Sequence, residues 1–380
     1  PAAAAAGVLH NLGNAYARAE RFEEAETTFQ RALEMYDTIA DADGIGAIYS
    51  SLGHLYDDQG AYDQAIDYFQ QSLRRNQEIE RQDLQVADLH SLGRVYGHQY
   101  RYDEALETYQ AAIEIYEALG DESGKAGTLL NIGGLYSDQN RYTEALSVYQ
   151  QALAIFRQTG ERSREASVLH NMGSVYQNLT RYAEALDTYQ QTLTIYRDLG
   201  RRQSEGSIYH NMGYIYRAQG RSEVGVEMYE QALDIYGEAH DRANQASIYG
   251  NIGIMFLNEG RYDEALKMHQ LALAIHEDLD DIEDQASSLT NIGVVYERQG
   301  EFAAAVKAHE QALALFRQTN NRKEEGRVLN NLGRVHLEQA EFDPALDYFQ
   351  DALTLRQKIK DREGEALTRR DLGELHLAQT

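Results

Sequence analysis

The chain has 380 residues, 43% of them apolar, and a formal charge of −26 from 35 basic and 61 acidic side chains. That charge argues against a nucleic-acid backbone as ligand, because such a ligand needs a basic footprint. The absence of cysteine excludes disulfides, zinc thiolates and thiol nucleophiles and fits a reducing, cytoplasmic compartment, and no stretch approaches the roughly 18 apolar residues of a membrane span.

Only two prolines occur, Pro1 and Pro344, which leaves long stretches free to be helical. In blocks of forty the chain aligns with itself without an insertion or deletion. The repeats fall at 1–40, 41–80, 81–120, 121–160, 161–200, 201–240, 241–280, 281–320 and 321–360, with a capping helix at 361–380. Repeat one sets the pattern: Leu12, Gly13 and Tyr16 mark a first helix, A, and Ala25 marks a second, B. Repeat two keeps Leu52, Gly53, Tyr56 and Ala65 but carries Asn76 in place of the late aromatic of helix B. In repeat three Tyr102, Ala105, Tyr109, Ala112, Ile113 and Tyr116 follow a three-and-four spacing, which is one face of a helix. Turns around Gly60, Asn140, Gly220, Gly260 and Gly300 separate A from B. Repeat six has Ser222, Val224 and Gly225 where other copies carry tyrosine, glutamate and alanine, which predicts the softest B helix. His269, His276, His309, His336 and His376 replace aromatics in later repeats and read as packed histidines. Pro344 falls in the first turn of its B helix, where proline is tolerated. Pro1 in place of methionine, and an end partway through a repeat at Thr380, predict a segment of a longer protein.

A glycine inside helix A costs about 1 kcal/mol against alanine, yet it stands in all ten copies, from Gly13 to Gly373. Close approach of helix B is the expected reason. The alanine column Ala25, Ala65, Ala105, Ala145, Ala185, Ala265, Ala305 and Ala345, broken only at Gly225, is expected to face the glycine, with aromatics filling wider gaps between layers.

Leucine, glycine and tyrosine in A, followed by alanine, an aromatic and alanine in B, resemble the tetratricopeptide repeat over the whole chain. The forty-residue unit is similar to the long repeats of Pins/LGN polarity adaptors and to arrays in large bacterial signalling proteins. The resemblance implies an all-α, right-handed superhelical solenoid of antiparallel helix pairs, nine repeats and a terminal helix, with A helices lining a concave groove. It also implies a protein- or peptide-binding scaffold without catalysis or cofactor. Chaperone-binding members clamp a terminal carboxylate with lysine, asparagine and arginine. Here Asn14 matches but the neighbouring lysines are missing, so that ligand is not expected.

Before the leucine stands a column of Asn11, Ser51, Ser91, Asn131, Asn171, Asn211, Asn251, Asn291, Asn331 and Asp371. Helix propensity does not explain the asparagines. An amide offers an acceptor and two donors, which match an extended peptide backbone. A-helix spacing on the order of 10 Å against about 3.3 Å per extended residue would place one amide at every third peptide residue. The row resembles the asparagine ladder of the O-linked N-acetylglucosamine transferases. The alternative is that the amides bond the preceding helix and stitch repeats together.

Columns that vary beside this row would set specificity: His170 and His210 in one, Arg94, Tyr214 and Arg334 in a second, Arg217 and Arg298 after the tyrosine. Six arginines there balance six acids, so the groove is near neutral and the excess acid lies on outer helices and linkers. The histidines lack the ligand set of a zinc site, and no HExxH, Walker loop or nucleophile elbow occurs. The expected role is holding an extended partner segment in the groove. The alternatives are a sensing arm joined to an ATPase, protease or transcription-regulator domain of the same full-length protein, and a self-stacking structural element.

Overall fold

The computed structural model describes residues 2–379. Among them are nineteen α-helices of 17 or 18 residues. The first ten are α1 (Ala2–Arg18), α2 (Phe22–Thr38), α3 (Ala42–Asp58), α4 (Tyr62–Glu78), α5 (Gln82–His98), α6 (Tyr102–Leu119), α7 (Glu122–Asp138), α8 (Tyr142–Thr159), α9 (Arg162–Asn178) and α10 (Tyr182–Asp198). Then follow α11 (Arg202–Ala218), α12 (Ser222–Glu238), α13 (Arg242–Asn258), α14 (Tyr262–Asp278), α15 (Ile282–Gln299), α16 (Phe302–Gln318), α17 (Arg322–Glu338), α18 (Phe342–Lys358) and α19 (Arg362–Ala378). Odd-numbered helices are the A helices and even-numbered ones the B helices of the forty-residue repeats. Two compact units divide the chain inside α10, one through Ile195 and the other from Tyr196.

Local chemistry sets the helix ends. Asp41, Asp121, Asp241, Asp281, Asn321 and Asp361 each precede an A helix and accept the backbone N–H three residues on, at 2.8–3.3 Å. Helices close on a residue in the left-handed region. Glycine takes that place at Gly60, Gly120, Gly160, Gly200, Gly220, Gly260 and Gly300, but Glu20, Ala40, Tyr100, Asn140 and Thr180 adopt it too. Arginines at the start of B helices lie over the A-helix aromatic that precedes them, as Arg101 does over Tyr96 and Arg261 over Phe256.

The alanine column does lie beside the A-helix glycine, since a Cβ on Gly225 would sit 3.3 Å from the Gly213 carbonyl, but the tight constraint on the glycine comes from a ring, which the sequence expectation places elsewhere. In all nine repeats a Cβ on this glycine would collide with the ring sixteen residues on: 2.6 Å from Phe69 at Gly53, 2.5 Å from Tyr189 at Gly173, 2.5 Å from His309 at Gly293. The alanines from Ala25 to Ala345 are fully buried between helices and contribute packing, not the glycine's constraint. At Gly225 the missing methyl is replaced from outside, since the Met255 methyl lies 2.9 Å from where a Cβ would sit.

Two repeats exchange a core aromatic for a polar pair. Asn76 is buried and donates to Asp88 at 2.6 Å, and Ser72 donates to the same carboxylate at 2.9 Å. Arg356, equally buried, donates to Thr368 at 2.6 Å and to the Gly364 carbonyl. In both, the partner stands twelve residues beyond the replaced ring. His269 and His309 are fully buried and His276 nearly so, as expected of packed histidines. His336 stacks on Tyr348 with ring centres 5.4 Å apart, whereas His376 on α19 is exposed.

Candidate binding face of the A helices

In the first unit the A helices α3, α5, α7 and α9, with Tyr109 from α6, line an open cleft of about 570 Å³. Its wall includes His54, His90, Arg94, Asn131, Asp138 and Asn171, and the missing side chain of Gly134 leaves open space among them. Burial holds the imidazoles of His54 and His90 below the usual histidine range, so both are neutral at pH 7. Their rings pack edge-on against Phe69 and Tyr109.

The amide row is bonded across repeats. His90 Nε2 lies 2.9 Å from Thr128 Oγ1, and its Nδ1 lies 3.5 Å from Asn131 Nδ2. In the second unit Asn251 Nδ2 donates to His210 Nε2 at 3.0 Å, and Asn330 donates to Asp371 at 2.7 Å. His10 and Ser51 stand in the same relation at 2.8 Å. Apart from His90–Thr128, which spans thirty-eight, each contact joins residues forty-one apart, so one repeat's variable column supports the next repeat's amide column. Such a bond occupies one of the amide's four hydrogen-bonding positions. Asn171 also bonds the Tyr149 hydroxyl. Asn131 is exposed, Asn171, Asn211, Asn251 and Asn291 are half-buried, and Asn331 is buried.

The arginines expected to face a partner divide into two groups. Arg94 pairs with the buried carboxylate of Asp57, four residues past the glycine of the preceding repeat, and His98 Nδ1 stands 3.6 Å from the same group. Arg334 pairs with Glu297, the equivalent position six repeats later, whose carboxyl burial pushes upward against the pull of Arg334. Both guanidiniums are thereby neutralised from within. Arg217 instead lies over the Tyr214 ring at 4.9 Å, and Arg298 is exposed. His170 and His210 pack edge-on against Tyr189 and Tyr229 and are held neutral by burial.

The sequence reading passed over Asp57 and Glu297 as partners of Arg94 and Arg334. The signal was an acid in one column and arginine thirty-seven residues later. It also passed over a cluster at the second unit's α14–α15 corner, where His276, Asp281 and Asp284 bring ligand-type atoms within 4.8 Å of one another. Asp281 there is the N-cap of α15, which accounts for its position.

The tetratricopeptide repeat family profile matches residues 4–78, 85–158 and 164–238, and then in overlapping windows 204–278, 244–318, 284–358 and 324–380. No curated protein sequence matches the chain. Among solved structures it resembles a signal transduction ATPase with a tetratricopeptide repeat sensor from Pyrococcus horikoshii, at 15% identity and a TM-score of 0.62 over 85% of this chain and 50% of that one. It resembles aspartyl phosphate phosphatase F of Bacillus subtilis at 14% identity and 0.58, covering 93% and 94%. A Rap protein complexed with competence and sporulation factor aligns at 16% and 0.51, covering 94% and 99%. At these identities the likeness is one of fold, while the profile spans nearly every repeat: the chain belongs to the tetratricopeptide repeat family.

Proposed function

We propose that the chain is a non-catalytic scaffold that holds an extended polypeptide segment of a partner along its A-helix face, with the cleft of the first unit as one contact site. The observation that carries this reading is the chemistry of that cleft. Its wall combines amides with neutral imidazoles and a single carboxylate, Asp138, and its arginine is already balanced by Asp57. Neutral groups of both hydrogen-bonding senses suit peptide backbone better than a phosphate or a lone charged group. Asn211, Asn251 and Asn291 repeat the amide in the second unit, where Asn331 is buried and contributes no contact, and Tyr214, Arg217 and Arg298 vary beside them as side-chain selectors. The Rap protein held with competence and sporulation factor supports the reading by fold.

The test is selection of extended peptides from a random display library on the intact chain, compared with Asn131→Ala/Asn171→Ala. Enrichment by the parent, lost in a variant whose helical melt is unchanged within a few degrees, supports the proposal. Equal enrichment by both removes these amides from the binding site.

A second reading is favoured by the Pyrococcus structure, of which this chain spans half the length and whose repeats are a sensor. Here the array reports segment binding to an ATPase, protease or transcription-regulator domain in the same polypeptide. The full-length gene tests it, since an open reading frame without such a domain overturns it.

A further inference from the structure

In seven of the nine repeats the ring lodged against the A-helix glycine belongs to phenylalanine or tyrosine, and in repeats seven and eight it is His269 and His309. Both histidines are fully buried, and neither ring nitrogen of either has a hydrogen-bond partner among the described residues. A Cβ on Gly253 or Gly293 would lie 2.6 or 2.5 Å from the imidazole Cε1, so each ring is packed directly against its A-helix glycine and holds its two helices together. An imidazolium has two N–H donors that each need an acceptor, and a buried charge without one is costly. Among the described residues burial alone acts on His269, and the charged groups acting on His309 are Arg327 and Arg334 of α17, which oppose a proton.

We propose that His269 and His309 form an acid-release latch, in which protonation of the two rings opens the layer α13–α16. Opening moves Asn251 and Asn291, which stand two residues before the glycines. Only that consequence for a bound segment rests on the proposed function, whereas the opening itself does not. The direction follows from proton linkage. Burial lowers both imidazoles to about 4, against about 6.5 in the unfolded chain. The opened layer therefore binds more protons than the closed one between those values. Stability is full above pH 6.5 and is lost as pH falls toward 4.

Hydrogen exchange on the intact chain tests the latch, with protection corrected for intrinsic rates at pH 7.5 and pH 5 and compared with His269→Tyr/His309→Phe. These replacements are the residues that repeats five and nine use in the same place. The parent is expected to lose protection across α13–α16 at pH 5 by roughly 30-fold per histidine more than the variant. Equal loss in both, or loss spread evenly over α3–α8, overturns the proposal. Should the variant fold poorly, imidazole nitrogen shifts of the parent read the same point: rings that titrate near pH 6.5 in the folded chain also overturn it.

Discussion

Asn251 of α13 donates its amide hydrogen to His210 Nε2 of α11 across 3.0 Å, linking consecutive repeats through their A helices. The bond is part-buried, so its loss is expected to cost about 1 kcal/mol. Asn251→Ala and His210→Ala should each destabilise the second unit, with the double variant losing less than their sum. Urea titration of the three variants measures this. Strict additivity would mean the bond is not formed in solution.

The contact between Gly173 and Tyr189 predicts a sharper effect. Alanine at 173 places a Cβ 2.5 Å from a fully buried ring, so Gly173→Ala is expected to destabilise by about 2–3 kcal/mol. Gly250 provides the control, because its missing Cβ would meet nothing within 4 Å. Gly250→Ala should stabilise by up to about 1 kcal/mol through helix propensity alone. Thermal melts of the two variants should move in opposite directions.

Thr180 closes α9 at φ +57°, an unfavourable conformation for a β-branched residue. Gly200 holds the equivalent place after α10 at φ +65°. Thr180→Gly should gain about 0.5–1 kcal/mol and Gly200→Thr should lose about 1 kcal/mol. Denaturant midpoints check both, and a loss on Thr180→Gly would show that Thr180 makes a contact outweighing its backbone strain.

Asp88 gives a pH dependence opposite in sign to that of the core histidines. Burial pushes its carboxyl up to about 6, partly opposed by hydrogen bonds from Asn76, Ser72 and Ser50. In the unfolded chain it titrates near 3.9, so the folded chain binds the extra proton between these values. The stabilising contribution is complete below about pH 4 and is lost as pH rises through 6. Asp88→Asn keeps the polar cluster without the charge, so it should exceed the parent by roughly 3 kcal/mol at pH 8 and match it near pH 4. Denaturation midpoints measured across pH 4–8 decide the point, and an offset independent of pH would refute it.

The helix pairs were legible because a forty-residue period with a three-and-four spacing leaves little freedom. Each odd residue, such as Asn76 or Gly225, stood out against its column. What the columns did not reveal was which of two plausible partners each residue meets. The glycine was assigned to the alanine because both are small and recur together. The ring sixteen residues on recurs equally well, and only the folded geometry shows that it sets the tighter constraint. The binding face was harder still. Arg94 and Arg334 look alike in sequence to Arg298, but the first two answer a buried acid thirty-seven residues earlier and the third is exposed. The amide row met the same obstacle, since an asparagine that bonds a neighbouring histidine and one that awaits a ligand leave the same mark in a periodic sequence.

The polar pairs in the core have a consequence for how the chain finds itself. When nine modules share one docking surface, an A helix can settle on the wrong ring, forty residues out of place, and lose almost nothing. Asp88 breaks that degeneracy. Beside any B helix other than α4 its carboxylate would lose the paired donors Asn76 and Ser72, and beside a helix with only apolar residues in those two columns it would lie buried without donors. Arg356, held by Thr368 and the Gly364 carbonyl, penalises misplacement at the far end in the same way. These exceptions to the consensus act as registration marks, giving interchangeable modules a unique order of assembly.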